Sequence, residues 1–108
     1  MKLHDVICFI EKRIPLSWSE DWDNSGLQVG DPGSEISKIG IALDVTEDTV
    51  NKASESGCGL LVSHHPIIFS PLRNIIPDRP AAKAVVSAIR NGLSLYAAHT
   101  NWDSSPEG

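Results

Sequence analysis

Residues 39–66 read IGIALDVTEDTVNKASESGCGLLVSHHP, and this stretch decides the fold class. Two short apolar runs, 39–43 and 59–62, enclose a polar segment in which Thr46 can cap a helix and Gly57 can end it. A strand, a helix and a second strand in this order form a right-handed crossover between parallel strands. We therefore predict an α/β fold.

The pattern extends in both directions from this stretch. Downstream, Pro80 suits the first turn of a helix that Asn91-Gly92 ends, and the apolar run 93–98 is a third predicted strand. Upstream, apolar residues at helical spacing predict a helix over 3–14, and residues 16–37 read mostly as loop, with a short extended piece at 27–29 left open. We expect a parallel or mixed sheet with helices on both faces.

Composition narrows the class of protein. With 108 residues, 41% hydrophobic and 21% charged, the chain is typical of one globular domain. The formal charge of -5, without a concentration of Lys or Arg, argues against nucleic acid as a partner. The apolar run 6–10 is too short for a signal core or a membrane span, so we expect a cytoplasmic protein without a membrane partner.

The cysteines point away from thiolate chemistry. Cys8 and Cys58 are far apart and form no Cys-x-x-Cys pair, so neither a thiolate zinc site nor a disulfide framework is indicated.

Polar residues follow all three predicted strands, and the carboxyl edge of a parallel sheet is where ligands bind. These residues are Asp44, His64, His65, His99 and Asp103. A single histidine at a strand end is more often a structural residue than a ligand, but three histidines converging with an aspartate favour a metal site. Asp44 we interpret as a turn and helix-entry residue.

The adjacent histidines suggest more than one ion. On an extended segment, the side chains of His64 and His65 leave on opposite sides, so we expect them to diverge, which suits two metal ions better than one. A helical turn after the third strand would bring His99 and Asp103 to one side beside them. Imidazole and carboxylate donors fit zinc, manganese or iron.

The remaining histidine and the tryptophans receive simpler interpretations. His4 lies on the first predicted helix and is expected to be solvated. Trp18, Trp22 and Trp102 could stack on a base, but we expect them mainly to be packing residues.

Three motifs together resemble a known family. They are WDNSGLQVG at 22–30, LVSHHP at 61–66 and AHTNWD at 98–103. In this order they are similar to the N-terminal part of the GTP cyclohydrolase I type 2 homologues, also called the Ngg-one-interacting-factor-three-like family. The resemblance covers nearly the whole chain.

The resemblance implies a dinuclear metal site. The residue matching His64 would serve one ion, those matching His65 and Asp103 the other, and His99 would act beside them or in proton transfer. The family pattern continues with a helix and, later, a His and a Glu that complete the site. We therefore expect residues 1–108 to be a single metal-binding α/β domain, the N-terminal part of a larger one truncated at its C-terminal end.

The resemblance also suggests what the protein does. The first hypothesis is a metal-dependent hydrolase acting on a small molecule, a nucleotide or related heterocycle, with two divalent ions as cofactors. The alternative is a non-enzymatic metal-binding or regulatory adaptor. The resemblance further implies ring-shaped homo-oligomers for the full-length form.

Overall fold

The structure is a computed structural model that describes residues 1–106 and 108. Its elements, in chain order, are α1 (Leu3–Arg13), a short 3₁₀-helix (Leu16–Trp18), β1 (Gly26–Val29), β2 (Ile39–Ala42), α2 (Glu47–Glu55), β3 (Leu60–Ser63), α3 (Pro80–Arg90), β4 (Ser94–Ala97) and α4 (Thr100–Asp103). The predicted α/β class is confirmed. Among the described residues, no helix has the length and apolar character needed to cross a membrane.

The sheet is mixed, with four strands in the order β1-β4-β3-β2. β2 pairs with β3 and β3 with β4 in parallel, as the crossover pattern predicts. β1 runs antiparallel to β4, so the short extended piece left open at 27–29 is an edge strand. The parallel strands end together at one edge of the sheet.

Helices cover both faces of the sheet because neighbouring strand residues point to opposite sides. Leu61 and Leu95 pack with the buried residues of α2 and α3 on one face. Leu60 and Tyr96 pack against the buried side of α1 on the other. This alternation fixes the register of β3 and β4 through core burial on both faces.

The ends of α2 follow the predicted signals. The Thr46 hydroxyl accepts a bond from the Thr49 backbone N–H at 3.1 Å, and the Thr49 hydroxyl accepts one from the Thr46 N–H at 2.8 Å. Beyond the helix, Gly57 has a φ of 84°, a conformation that glycine adopts without a steric penalty.

Replacing Leu60 with Ala should lower the free energy of unfolding by about 2–5 kcal/mol, because it leaves a cavity where a side chain is fully buried. Ile41→Ala on the neighbouring strand is the matched control. Ile41 is 85% exposed, so its truncation should cost less than about 1 kcal/mol. Urea unfolding of both variants of this chain checks the contrast, and equal losses would contradict the assignment of the core.

Candidate metal centre

Parallel pairing brings the ends of β3 and β4 together. Ser63 lies opposite Ala97, and the Ala98 N–H donates to the Ser63 carbonyl at 2.8 Å. His64, the residue after β3, also contacts Ala98: its ring Nδ1 lies 2.9 Å from the Ala98 carbonyl oxygen. The two strand ends are therefore joined by backbone and side-chain bonds.

Three histidines meet at this edge. One ring nitrogen from each of His64, His65 and His99 lies within 4.8 Å of the others. The ring centroids are 5.0 to 5.6 Å apart. Asp103 approaches the same group, with Oδ1 3.5 Å from His64 Nε2. The three histidines and Asp103, which the sequence predicted to form the site, thus lie together.

The expectation that His64 and His65 diverge is wrong. β3 ends at Ser63, and both histidines lie in a bend where the alternation of an extended strand no longer applies. The Ser63 hydroxyl donates to the His65 carbonyl oxygen at 2.8 Å and closes this bend. The two imidazoles consequently lie close together instead of diverging, with their ring centroids 5.2 Å apart.

The predicted helical turn after the third strand is present as α4. The Asp103 N–H donates to the His99 carbonyl at 3.0 Å, so these residues are one turn apart. The His99 ring is largely buried, whereas the Asp103 carboxylate is 54% exposed.

Each of the three imidazoles uses Nδ1 for a hydrogen bond to an acceptor. His64 uses the Ala98 carbonyl, His65 the Asp44 carboxylate at 2.5 Å, and His99 the Asp23 carboxylate at 2.9 Å. A carbonyl or carboxylate oxygen accepts, so Nδ1 carries the proton, and in a neutral imidazole Nε2 is then the nitrogen with a lone pair. Imidazoles held in this way are typical of metal ligands, so the residues present fit a divalent metal.

Two carboxylates of the site were missed in the sequence. Asp44 was interpreted as a turn residue, but its side chain contacts His65. Its place at the end of β2 was the signal that could have found it. Asp23 received no role, and its contact with His99 joins residues 76 positions apart, which no local pattern reveals.

Asp23 is the buried charge of this region. Burial of the carboxyl group by itself would raise its pKa, but hydrogen bonds from His99, Thr100 and Asn24 outweigh this and hold the pKa well below its usual range. The side chain has no exposed surface. Asp23 is thus an ionised carboxylate at neutral pH.

Trp22 borders the histidine cluster through His99. It is 61% exposed, its ring centroid lies 6.0 Å from that of Phe69, and it meets His99 edge-on at 6.3 Å. Trp22 therefore packs only in part, against Phe69 and His99, and most of its surface is exposed.

Fold and site together define a class: an α/β domain with a histidine cluster at the carboxyl edge of a mixed sheet. The chain belongs to the DUF34/NIF3 (NGG1p interacting factor 3) family, whose model matches residues 1–108. It is 44% identical over 108 residues to the GTP cyclohydrolase 1 type 2 homolog of Clostridium perfringens, and 39% identical to that of Clostridium acetobutylicum. Each match spans the whole of this chain but only 41% of the first relative and 40% of the second.

Solved structures also match nearly the whole of this chain with less than half of their own length. The chain resembles the Staphylococcus aureus protein SA1388 with a TM-score of 0.96 and 35% identity, covering 100% of this chain and 35% of that one. It also resembles reduced HcgD from Methanocaldococcus jannaschii, with a TM-score of 0.86 and 40% identity, covering 95% of this chain and 41% of that one. The chain therefore corresponds to less than half of each of these relatives.

Replacing Asp23 with Ala should destabilise the fold at neutral pH by about 2–4 kcal/mol, because buried donors lose their acceptor. A carboxyl group whose pKa is lowered by folding stabilises the protein fully above its unfolded-state pKa, about 3.9, and loses that contribution as the pH falls further. The gap between wild type and variant should thus narrow below about pH 4. Urea unfolding at pH 7 and pH 3 measures it, and a gap that widens on acidification would contradict the interpretation.

Proposed function

We propose that this chain supplies ligands to a dinuclear divalent-metal site that serves a metal-dependent hydrolase. The observation that carries the metal site is the convergence of His64, His65 and His99, with Asp103 beside them, at one edge of the sheet. The second ion rests on the family resemblance, since the two adjacent imidazoles do not diverge. A structural role would explain one such imidazole more easily than three. We assign His64 to one ion and His65 with Asp103 to the other.

The hydrogen bonds of the cluster support this assignment. With Nδ1 of His64 and His65 engaged by acceptors, Nε2 of each is the donor atom for a metal. Asp103 Oδ1 lies close to His64 Nε2, as expected if the two residues are ligands of two neighbouring ions. Nitrogen and oxygen donors without a thiolate favour zinc, manganese or iron.

Two ions need more donors than this edge offers, even with water counted. The family resemblance implies a further His and Glu beyond Asp103, and the relatives are more than twice as long as the part that this chain matches. We propose that the residues completing the site lie in that additional length. The ring-shaped homo-oligomer implied by the resemblance belongs to the same full-length form.

Divalent ions held by these residues would supply an activated water and would polarise the bond under attack. The chain's own groups have defined tasks around this chemistry. His64 and His65 hold their lone pairs at Nε2, and His99 lies beside both rings, where Nε2 can accept or return a proton.

For the substrate, we propose a nucleotide or a related heterocycle. The curated relatives carry the name GTP cyclohydrolase 1 type 2 homolog, although a name shared within a fold is weak support. An independent physical reason is the exposed Trp22 ring beside His99, which offers a planar heterocycle a stacking surface next to the metal ligands.

The paired histidines can be tested by metal content. In the longest natural form of the protein, His64→Ala and His65→Ala should each retain at most one tightly held ion per chain, because each removes a ligand of a different ion. His4→Ala is the matched control, since His4 lies on α1 away from the sheet edge and should leave both ions bound. Elemental analysis after purification without added metal gives the counts. Two ions in either cluster variant would refute the assignment.

Chelation should lower the thermal stability of the same protein. A ligand that binds only the native state, present at a free concentration of 100 times its Kd, adds about 2.7 kcal/mol to the free energy of unfolding. Removing the metal should therefore clearly lower the melting temperature. Differential scanning fluorimetry with and without chelator measures the shift. In the doubly substituted His64→Ala, His65→Ala protein, the chelator should change the melting temperature little.

Turnover decides between enzyme and adaptor. Hydrolysis of a nucleotide that stops on chelation and returns with added metal would support the enzyme. Metal-dependent assembly without turnover would support the adaptor instead. Identical melting curves together with negligible metal content would overturn the metal site itself.

A further inference from the structure

The Asp23 carboxylate receives an unusual number of hydrogen bonds for a loop residue. Oδ1 accepts from His99 Nδ1 at 2.9 Å and from the Asn24 N–H at 2.8 Å. Oδ2 accepts from the Thr100 N–H at 3.0 Å, from the Thr100 hydroxyl at 2.5 Å and from the Ser25 hydroxyl at 3.1 Å. The side chain is completely buried. A buried charge is costly unless donors surround it, and here they do.

Asp23 also caps α4. In the part of the chain that the structure describes, α4 receives no capping bond from the side chain of its own N-cap residue, His99. The Thr100 N–H at its start is bonded by Asp23 instead. Asp103 lies on the last turn of this short helix, so the carboxylate that holds His99 also holds the helix that carries Asp103.

We propose that Asp23 is a positioning residue of the metal centre, holding the His99 ring with its proton on Nδ1 and its Nε2 lone pair turned toward the His64–His65 pair. The inference rests on the proposed metal function for its purpose, while the state of the His99 ring can be measured without any metal. Asp23 does not contact the metal ligands His64 and His65 directly; it acts through His99 and through α4.

The comparable pair at His65 shows why Asp23 is singled out. Asp44 and His65 are 60% and 48% exposed, so water competes for both groups and the pair is weak. For Asp23 and His99 the exposed fractions are 0% and 17%, so the bond is shielded and an alternative ring orientation would leave a buried charge with one donor fewer. The buried pair therefore fixes its imidazole more firmly than the exposed one.

The first experiment is long-range ¹H–¹⁵N NMR of the metal-free 108-residue chain at pH 8, with His99 assigned by the loss of its signals in His99→Gln. We expect the His99 ring to carry its proton on Nδ1 and none on Nε2. A proton on Nε2 in the wild-type protein would overturn the proposal without any further variant.

The second experiment is the same measurement on Asp23→Asn, which keeps the shape of the side chain but has one acceptor oxygen for the donors that Asp23 satisfies. We expect the preference for the Nδ1–H tautomer to be lost. Unchanged His99 signals would overturn the proposal.

Two controls separate positioning from general damage. Thr100→Val removes the hydroxyl bonds to Asp23 and from the Glu20 N–H but leaves the His99 bond, so the His99 tautomer should persist. Asp44→Asn makes the same chemical change beside His65 and should leave His99 unaltered. A loss of the tautomer in either control as large as in Asp23→Asn would show that loop disturbance is the cause, and would overturn the proposal.

Zn²⁺ titration of the longest natural form links the inference to function. Loss of a residue that orients a metal site typically lowers metal affinity 10–100-fold, and we expect a decrease of about that size for Asp23→Asn. If the wild-type protein binds no Zn²⁺, the proposed function fails while the tautomer result still stands. If it binds Zn²⁺ and Asp23→Asn binds equally well, the positioning role is refuted.

Discussion

The pairing of Ser63 with Ala97 places β3 and β4 side by side in parallel, and the two strands then leave the sheet at the same point. Their register is fixed by the core, because Leu60 must face α1 and Leu61 must face α2 and α3. A slip of one residue would exchange these faces. The histidines therefore inherit their positions from apolar packing several residues away, and the bond from His64 Nδ1 to the Ala98 carbonyl closes the junction.

A second constraint is the anchoring of the long segment between α1 and β2. Backbone groups of an irregular segment need partners. Asp23 supplies one anchor, and the Asn24 side chain, which donates to the Ile68 carbonyl at 2.5 Å, supplies another. Gln28 Oε1 accepts from the Ile68 N–H at 3.2 Å. This segment thus ties the loop after the paired histidines to α4, so the cluster is supported from two sides.

Local signals were sufficient for the helices and the parallel strands. Thr46 and Gly57 mark the ends of α2 through interactions with near neighbours, and such signals can be read from the sequence. The antiparallel strand β1 was left open because its pairing depends on β4, far along the chain. The candidate site was found from strand ends, but Asp23 was not, because its role depends on a contact that only the fold creates. The expected divergence of the paired histidines failed because the strand ends at Ser63, before either histidine.

The three imidazoles are held by acceptors of different kinds, and this has consequences for the cluster. His64 is fixed by a backbone carbonyl, which does not titrate and moves only with the sheet. His99 is fixed by a buried carboxylate, which salt screens little. His65 relies on the exposed Asp44, whose attraction is weakened by water and by salt. His65 is therefore the least restrained of the three rings. A rigid pair, His64 and His99, beside one adaptable ring can adjust to a bound ion without disturbing the sheet that positions it.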